Sequence, residues 1–182
     1  MNPIATLVPP VSARDHAEGP ESAPLTLVEY GDYQCPFCSA AFPVVKRIQK
    51  RLGRDLRFVF RNFPLRHIHP FAELAAETAE AAGLLGKFWP MHDVLFKNQA
   101  SLTPESLVLW ARRLGLEDKE LAATFGRPEI ASRIKEDRMS GLRSGVNGTP
   151  TFYINGARYE GMPVDDELLD ALDAALRAHA AR

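Results

Sequence analysis

Leu25-Thr26-Leu27-Val28-Glu29-Tyr30 is an apolar, β-branched run bounded by Pro24 and Gly31, the pattern of a strand buried on both faces. Further on, Phe42, Val45, Ile48, Gln49 and Leu52 fall at helical spacing, and Gly53 is placed to stop that helix. Leu56-Arg57-Phe58-Val59-Phe60-Arg61-Asn62-Phe63 reads as a second strand, ended by Pro64. Strand, helix and strand in so short a span predict a βαβ unit with parallel strands and a right-handed crossover.

From Arg66 to about Met139 no strand-like run occurs. Helical pieces are predicted after Pro70, around Phe88 to Asn98, behind Ser101 or Thr103 with Pro104 in the first turn, near Asp118 to Phe125, and from Pro128 to Arg143. Residues 65–128 are therefore expected as an inserted all-helical domain, with 25–64 and 129–182 forming an α/β domain around it. Strand character returns at Thr151-Phe152-Tyr153-Ile154 and Ala157-Arg158-Tyr159-Glu160, separated by Asn155-Gly156. Asn-Gly between two such runs predicts a hairpin, because both central residues of a type I′ turn need positive φ. An amphipathic helix from Asp165, its expected N-cap, to about Ala180 puts Leu168, Leu169, Leu172 and Leu176 on one face. Residues 1–24 hold five of the fourteen prolines and are expected as a mobile arm, in which only Val11 to His16 could add an edge strand.

With 182 residues, 46% of them hydrophobic, the chain can bury a core without disulfide staples. The net charge of −1 comes from 22 basic and 23 acidic residues scattered along the chain, which argues against a nucleic-acid partner. No apolar run approaches the roughly 18 residues of a membrane helix, and no membrane partner is expected. The N-terminus has no basic segment before its short, proline-broken apolar stretch, so a cytoplasmic protein is expected, with an exported mature form as the alternative; a monomer is expected as well. In a reducing compartment, two cysteines three positions apart point to redox catalysis or metal binding rather than to a structural bridge.

Cys35-Pro36-Phe37-Cys38 lies between the first strand and the helix, and Pro36 suits a first helical turn. Cys35 then sits where unpaired amides and the positive end of the helix favour a thiolate, and is the expected nucleophile. Cys38, one turn on and more buried, is the expected resolving thiol, with Pro36 and Phe37 as active-site neighbours. The pair is also half a zinc site, for which His67 and His69 are the partners to consider; no metal or organic cofactor is needed for the redox reading. A third option is a thiol-dependent stress protein passing through a sulfenate on Cys35. Pro150 directly precedes an apolar strand and could simply start it. Were the Thr149–Pro150 bond cis, the Thr149 backbone would be an unpaired edge for an extended substrate beside Cys35. Glu29 stands in an otherwise apolar strand, where a lone carboxylate is costly unless it acts, and its expected role is to relay the proton of Cys38. The stripe Phe88, Trp89, Met91, His92, Leu95 and Phe96 is expected to be packing, His67 and His69 to lie in a surface loop, and Arg61, Arg66 and Arg143 to be solvated.

Taken together, Leu27 through Cys38, Asn62-Phe63-Pro64-Leu65, His69-Pro70, Gly86-Lys87-Phe88-Trp89 with Met91-His92-Asp93 and Leu95-Phe96, and Gly145 through Phe152 resemble the DsbA-like branch of the thioredoxin superfamily. The resemblance spans residues 25–180. It implies an α/β, thioredoxin-like fold with an inserted all-helical domain, Cys35 as nucleophile, Cys38 as resolving thiol, Glu29 as the buried acid and Pro150 as a cis-proline. It further implies a thiol–disulfide oxidoreductase whose partners are protein or small-molecule thiols and disulfides. Phe37 stands where the strongly oxidising members carry a histidine, so a weaker oxidant is expected.

Overall fold

In the computed structural model, which describes residues 5–163 and 166–181, five strands form one sheet. They are β1 (His16–Glu18), β2 (Leu25–Gly31), β3 (Leu56–Asn62), β4 (Thr151–Ile154) and β5 (Ala157–Arg158), in the order β1-β3-β2-β4-β5. β2 and β3 are parallel, with Leu25 opposite Leu56 and Glu29 opposite Phe60. The helix between them, α1 (Pro36–Leu52), is the predicted crossover. β4 runs antiparallel to β2, placing Phe152 opposite Glu29, and turns into β5 through Asn155 and Gly156 at φ 48° and 84°, the positive values the hairpin requires.

Alternation along β2 divides the core. Leu25 and Leu27, with Phe58, Phe60 and Phe152 from the flanking strands, pack against Val45 and Ile48 of α1 and against Leu168 and Leu172 of the last helix, α7 (Glu167–Ala180). Glu29 shares that parity and faces the same apolar side. Val28 and Tyr30 turn to the other face, with Leu7, Val59, Phe63, Val146 and Tyr153. Each buried large apolar side chain contributes on the order of 2 kcal/mol, so reversing this alternation by one register step is not tolerated.

Between β3 and β4 lie α2 (Ala72–Leu84), α3 (Phe88–Lys97), α4 (Pro104–Arg113), α5 (Asp118–Thr124) and α6 (Pro128–Ser144), a helical insertion that takes in α6 as well as the expected residues 65–128. The aromatic stripe of α3 packs as expected: Phe88, Met91, His92, Leu95 and Phe96 are buried. Thr103 caps α4 in a reciprocal capping box with Ser106, with Pro104 in the first turn. α6 crosses the second face of the sheet, where Ser140 Oγ meets Tyr30 Oη at 2.8 Å.

Three expectations need correction. Val11 to His16 does not form the edge strand: Asp15 N bonds Ser12 O at 3.1 Å and Ser12 N bonds Asp15 Oδ2 at 2.8 Å, a turn that postpones β1 to His16. The segment expected to be a mobile arm is docked over residues 5–24. Leu7 N bonds Gly156 O beside β5, Leu7 is buried on the sheet, and β1 pairs antiparallel with β3 at the opposite edge. Arg61, expected in solvent, is buried, because Asp15 of that arm takes its guanidinium. The proposed N-cap Asp165 lies outside the described residues.

Candidate active site

The strand-to-helix turn builds the site. Cys35 is the N-cap residue of α1, in extended conformation, with Pro36 in the first turn as predicted. Asp32 shapes the turn: its carboxylate accepts from Gln34 N at 2.7 Å and Leu65 N at 2.8 Å and bonds His69 Nδ1 at 2.8 Å, while its carbonyl accepts from Cys35 N at 3.1 Å. The Thr149–Pro150 bond is cis, and Cys35 Sγ donates to Thr149 O at 3.3 Å. Thr149 thus stands directly against the first thiol, with its own hydroxyl buried.

The two thiols are free and chemically unequal. A hydrogen bond from Cys38 is the main cause that lowers Cys35 to a pKa of about 5. Burial opposes it, and the Thr149 side chain and the backbone N–H groups of Cys38 and Phe37 add to it. Cys38 is driven well above the ordinary thiol range, first by burial and then by the same hydrogen bond and the charges of Glu29 and Cys35. Glu29 is raised to about 8, first by burial and second by the charge of Cys35, and its Oε1 has no hydrogen-bond partner. An orphaned, buried carboxyl close enough to feel one thiolate and to act on the other thiol can hold a proton that water cannot readily reach. Phe37, by contrast, is 68% exposed beside the buried thiols.

The helical insertion reaches the same turn. Phe71 N donates to Gln34 Oε1 at 2.6 Å, Tyr33 Oη bonds His92 Nδ1 at 3.1 Å, and Gln99 Nε2 donates to Tyr33 O at 2.8 Å and Cys35 O at 2.9 Å. Sequence reasoning singled out Cys35, Cys38, Glu29, Thr149 and Pro150, which the fold brings together, but not Asp32, Gln34 or Gln99. Asp directly after a strand and before a helix start is a turn-forming signal that was available; nothing local marks Gln99. His67 and His69 do not join the cysteines. His67 is exposed, His69 is turned onto Asp32, and among the described residues no group of three or more His, Cys, Asp or Glu is placed to hold a metal ion.

Known proteins are similar to this chain in sequence and fold. Residues 12–174 match the family described as Thioredoxin (Thioredoxin_4). BdbD from Bacillus subtilis superposes with a TM-score of 0.79 at 26% identity, over 90% of this chain and 93% of that one. DsbA2 from Pseudomonas aeruginosa gives 0.70 at 28% identity, over 91% and 96%. Among curated relatives, a protein named Na(+)/H(+) antiporter NhaA 1 from Salinispora arenicola is 42% identical over 95% of this chain but only 26% of its own length. This chain thus spans about a quarter of such relatives. By its family match and its fold, the chain belongs to the DsbA-like thioredoxin family.

Proposed function

We propose that the chain is a dithiol–disulfide exchange enzyme acting on protein or small-molecule disulfides, with Cys35 as nucleophile and Cys38 as resolving thiol. The supporting observation is geometric: Cys35 sits at the start of α1 against the Thr149 backbone, with Cys38 one turn behind it in the core. The Cys35 thiolate attacks one sulfur of a substrate disulfide, forming a mixed disulfide and releasing a substrate thiolate, which takes a proton from solvent. Cys38 then attacks Cys35 Sγ as its proton passes to Glu29, and the bond to substrate breaks to expel the second substrate sulfur as a thiolate, which takes a proton from solvent. Once Cys35 is bonded to substrate its charge is gone, which removes the second cause that keeps Glu29 protonated and favours the carboxylate when Cys38 must ionise. The same steps in reverse oxidise a dithiol, so the direction follows the partner's potential.

Cysteine variants test this. Cys35→Ser abolishes insulin reduction and exchange with glutathione, whereas Cys38→Ser loses turnover but accumulates a mixed disulfide on Cys35. Equal behaviour of the two variants, or a wild-type protein no faster than glutathione alone, overturns the assignment. Because the curated relatives bear an antiporter's name, cysteines of a membrane transporter are one substrate class that we propose, and the Cys38→Ser trap applied to solubilised membranes captures it.

A further inference from the structure

Pro36 has no N–H, so the carbonyl of Cys35 is the only polar group by which the Cys35–Pro36 peptide can be held. Ser39 N reaches that oxygen at 3.1 Å as the first turn of α1 closes. The other donor comes from outside the domain that holds the thiols. Gln99 stands in the 3-10 turn Gln99–Ser101 that follows α3, and its Nε2 bonds both Cys35 O and Tyr33 O. One carboxamide therefore straddles Gln34 and ties together the two carbonyls on either side of it. The far side of the same turn is held by the Asp32 carboxylate through Gln34 N. Gln99 itself is half-buried between exposed neighbours.

We propose that Gln99 is a positioning residue through which the helical insertion fixes the Tyr33 and Cys35 carbonyls, and with them the direction in which Cys35 Sγ leaves the start of α1. This rests on the exchange function proposed above. Without the clamp the Cys35–Pro36 peptide can rotate about the single bond from Ser39, and the thiolate loses its alignment with the N–H groups of Phe37 and Cys38. The reduced form is then less stabilised relative to the disulfide, and the pair becomes a weaker oxidant.

The test uses the full chain carrying Gln99→Leu, close in size but without donors, with Gln99→Met as a second variant should the first fold poorly. Asn98→Ala, which removes a bond to Val94 O next door without touching the loop, controls for stability alone. Three quantities are measured: the thiolate titration of Cys35 by ultraviolet absorbance, the equilibrium with glutathione, and the urea midpoint. Gln99→Leu is expected to raise the titration midpoint by about one pH unit and shift the equilibrium roughly tenfold toward the enzyme disulfide. Asn98→Ala is expected to move neither. A titration and equilibrium within about twofold of wild type in both Gln99 variants, whatever their urea midpoints, overturn the positioning role. A wild-type protein that fails to equilibrate with glutathione overturns the exchange function, and the role of Gln99 falls with it.

Discussion

Glu29 carries a stability cost, because its carboxyl is buried without a partner for Oε1. Burial, and next the charge of Cys35, raise its pKa from an ordinary 4.5 to about 8, so between these values the native state keeps a proton that the unfolded chain has lost. Its contribution to stability is complete below pH 4.5 and disappears as pH rises through 8. Cys35 has the opposite sign: lowered to about 5 from 9, its thiolate adds stability as pH rises across that range. The two slopes offset each other in the reduced protein, but oxidation removes the thiol titration and leaves burial, the larger cause at Glu29, in place. Oxidised wild type should therefore lose up to about 1.4 kcal/mol of stability per pH unit as pH rises above 4.5, relative to Glu29→Gln, over a window that closes below 8 because the charge of Cys35 is gone. Urea midpoints of both proteins between pH 4 and 9 check it, and parallel curves would mean that Glu29 does not bind its proton more tightly in the folded chain. Glu29→Gln should also steepen the pH dependence of resolution by Cys38, since no group then takes its proton.

At the scale of elements, the Phe60 ring of β3 lies so close over the end of β2 that Gly31 admits no side chain. A Cβ there would lie 2.3 Å from Phe60 Cε2 and 3.2 Å from Glu29 Oε1. Phe60 has no room to yield, wedged between Tyr33, Phe88, His92 and Phe96. Gly31→Ala should therefore lower stability by about 1–3 kcal/mol, read as a fall in urea midpoint with unchanged slope. It should slow exchange as well, because the displaced ring borders Glu29. Such strands were legible in the sequence because burial on both faces leaves a continuous apolar run, and α1 because its spacing and Gly53 are local signals. β1 was not: three residues, His16, Ala17 and Glu18, carry no pattern of their own, and they become a strand only because β3 offers them an open edge. The site divides the same way. Cys35, Cys38, Glu29 and Pro150 announce themselves by residue type in an unusual setting, whereas Gln99 matters only through two carbonyls 64 and 66 positions away.

At the scale of the whole molecule, the N-terminal segment acts as a strap across the sheet, fastened by Arg61 and, further out, by Arg133, which bonds Arg14 O and lies 3.9 Å from Asp15. Arg61 Nε and Nη2 hold Asp15 in a two-pronged contact at 2.8 and 3.2 Å, Nη1 bonds Tyr30 Oη at 2.9 Å and Pro9 O at 3.1 Å, and Nη2 bonds Pro10 O at 3.3 Å. Both charged side chains are nearly inaccessible, at 3% and 6%. Burial alone would raise Asp15, but the hydrogen bond from Arg61 leads the opposing causes and holds it below its ordinary 3.8. That contribution is present above the ordinary carboxylate value and is lost as pH falls through the lowered one. A buried pair of this kind is costly to break and cheap to replace, since the penalty lies in the charge left behind. Asp15→Ala should cost about 3–5 kcal/mol, and adding Arg61→Met should restore much of that loss. Hydrogen exchange separates the strap from the rest: the amides of Leu7 and Val8, bonded to Gly156 O and Ser144 Oγ, should be protected in wild type and should exchange much faster in Asp15→Ala than those of β2. Unprotected Leu7 and Val8 in wild type would return the segment to the free arm that its prolines suggest, and would leave Arg61 to solvent.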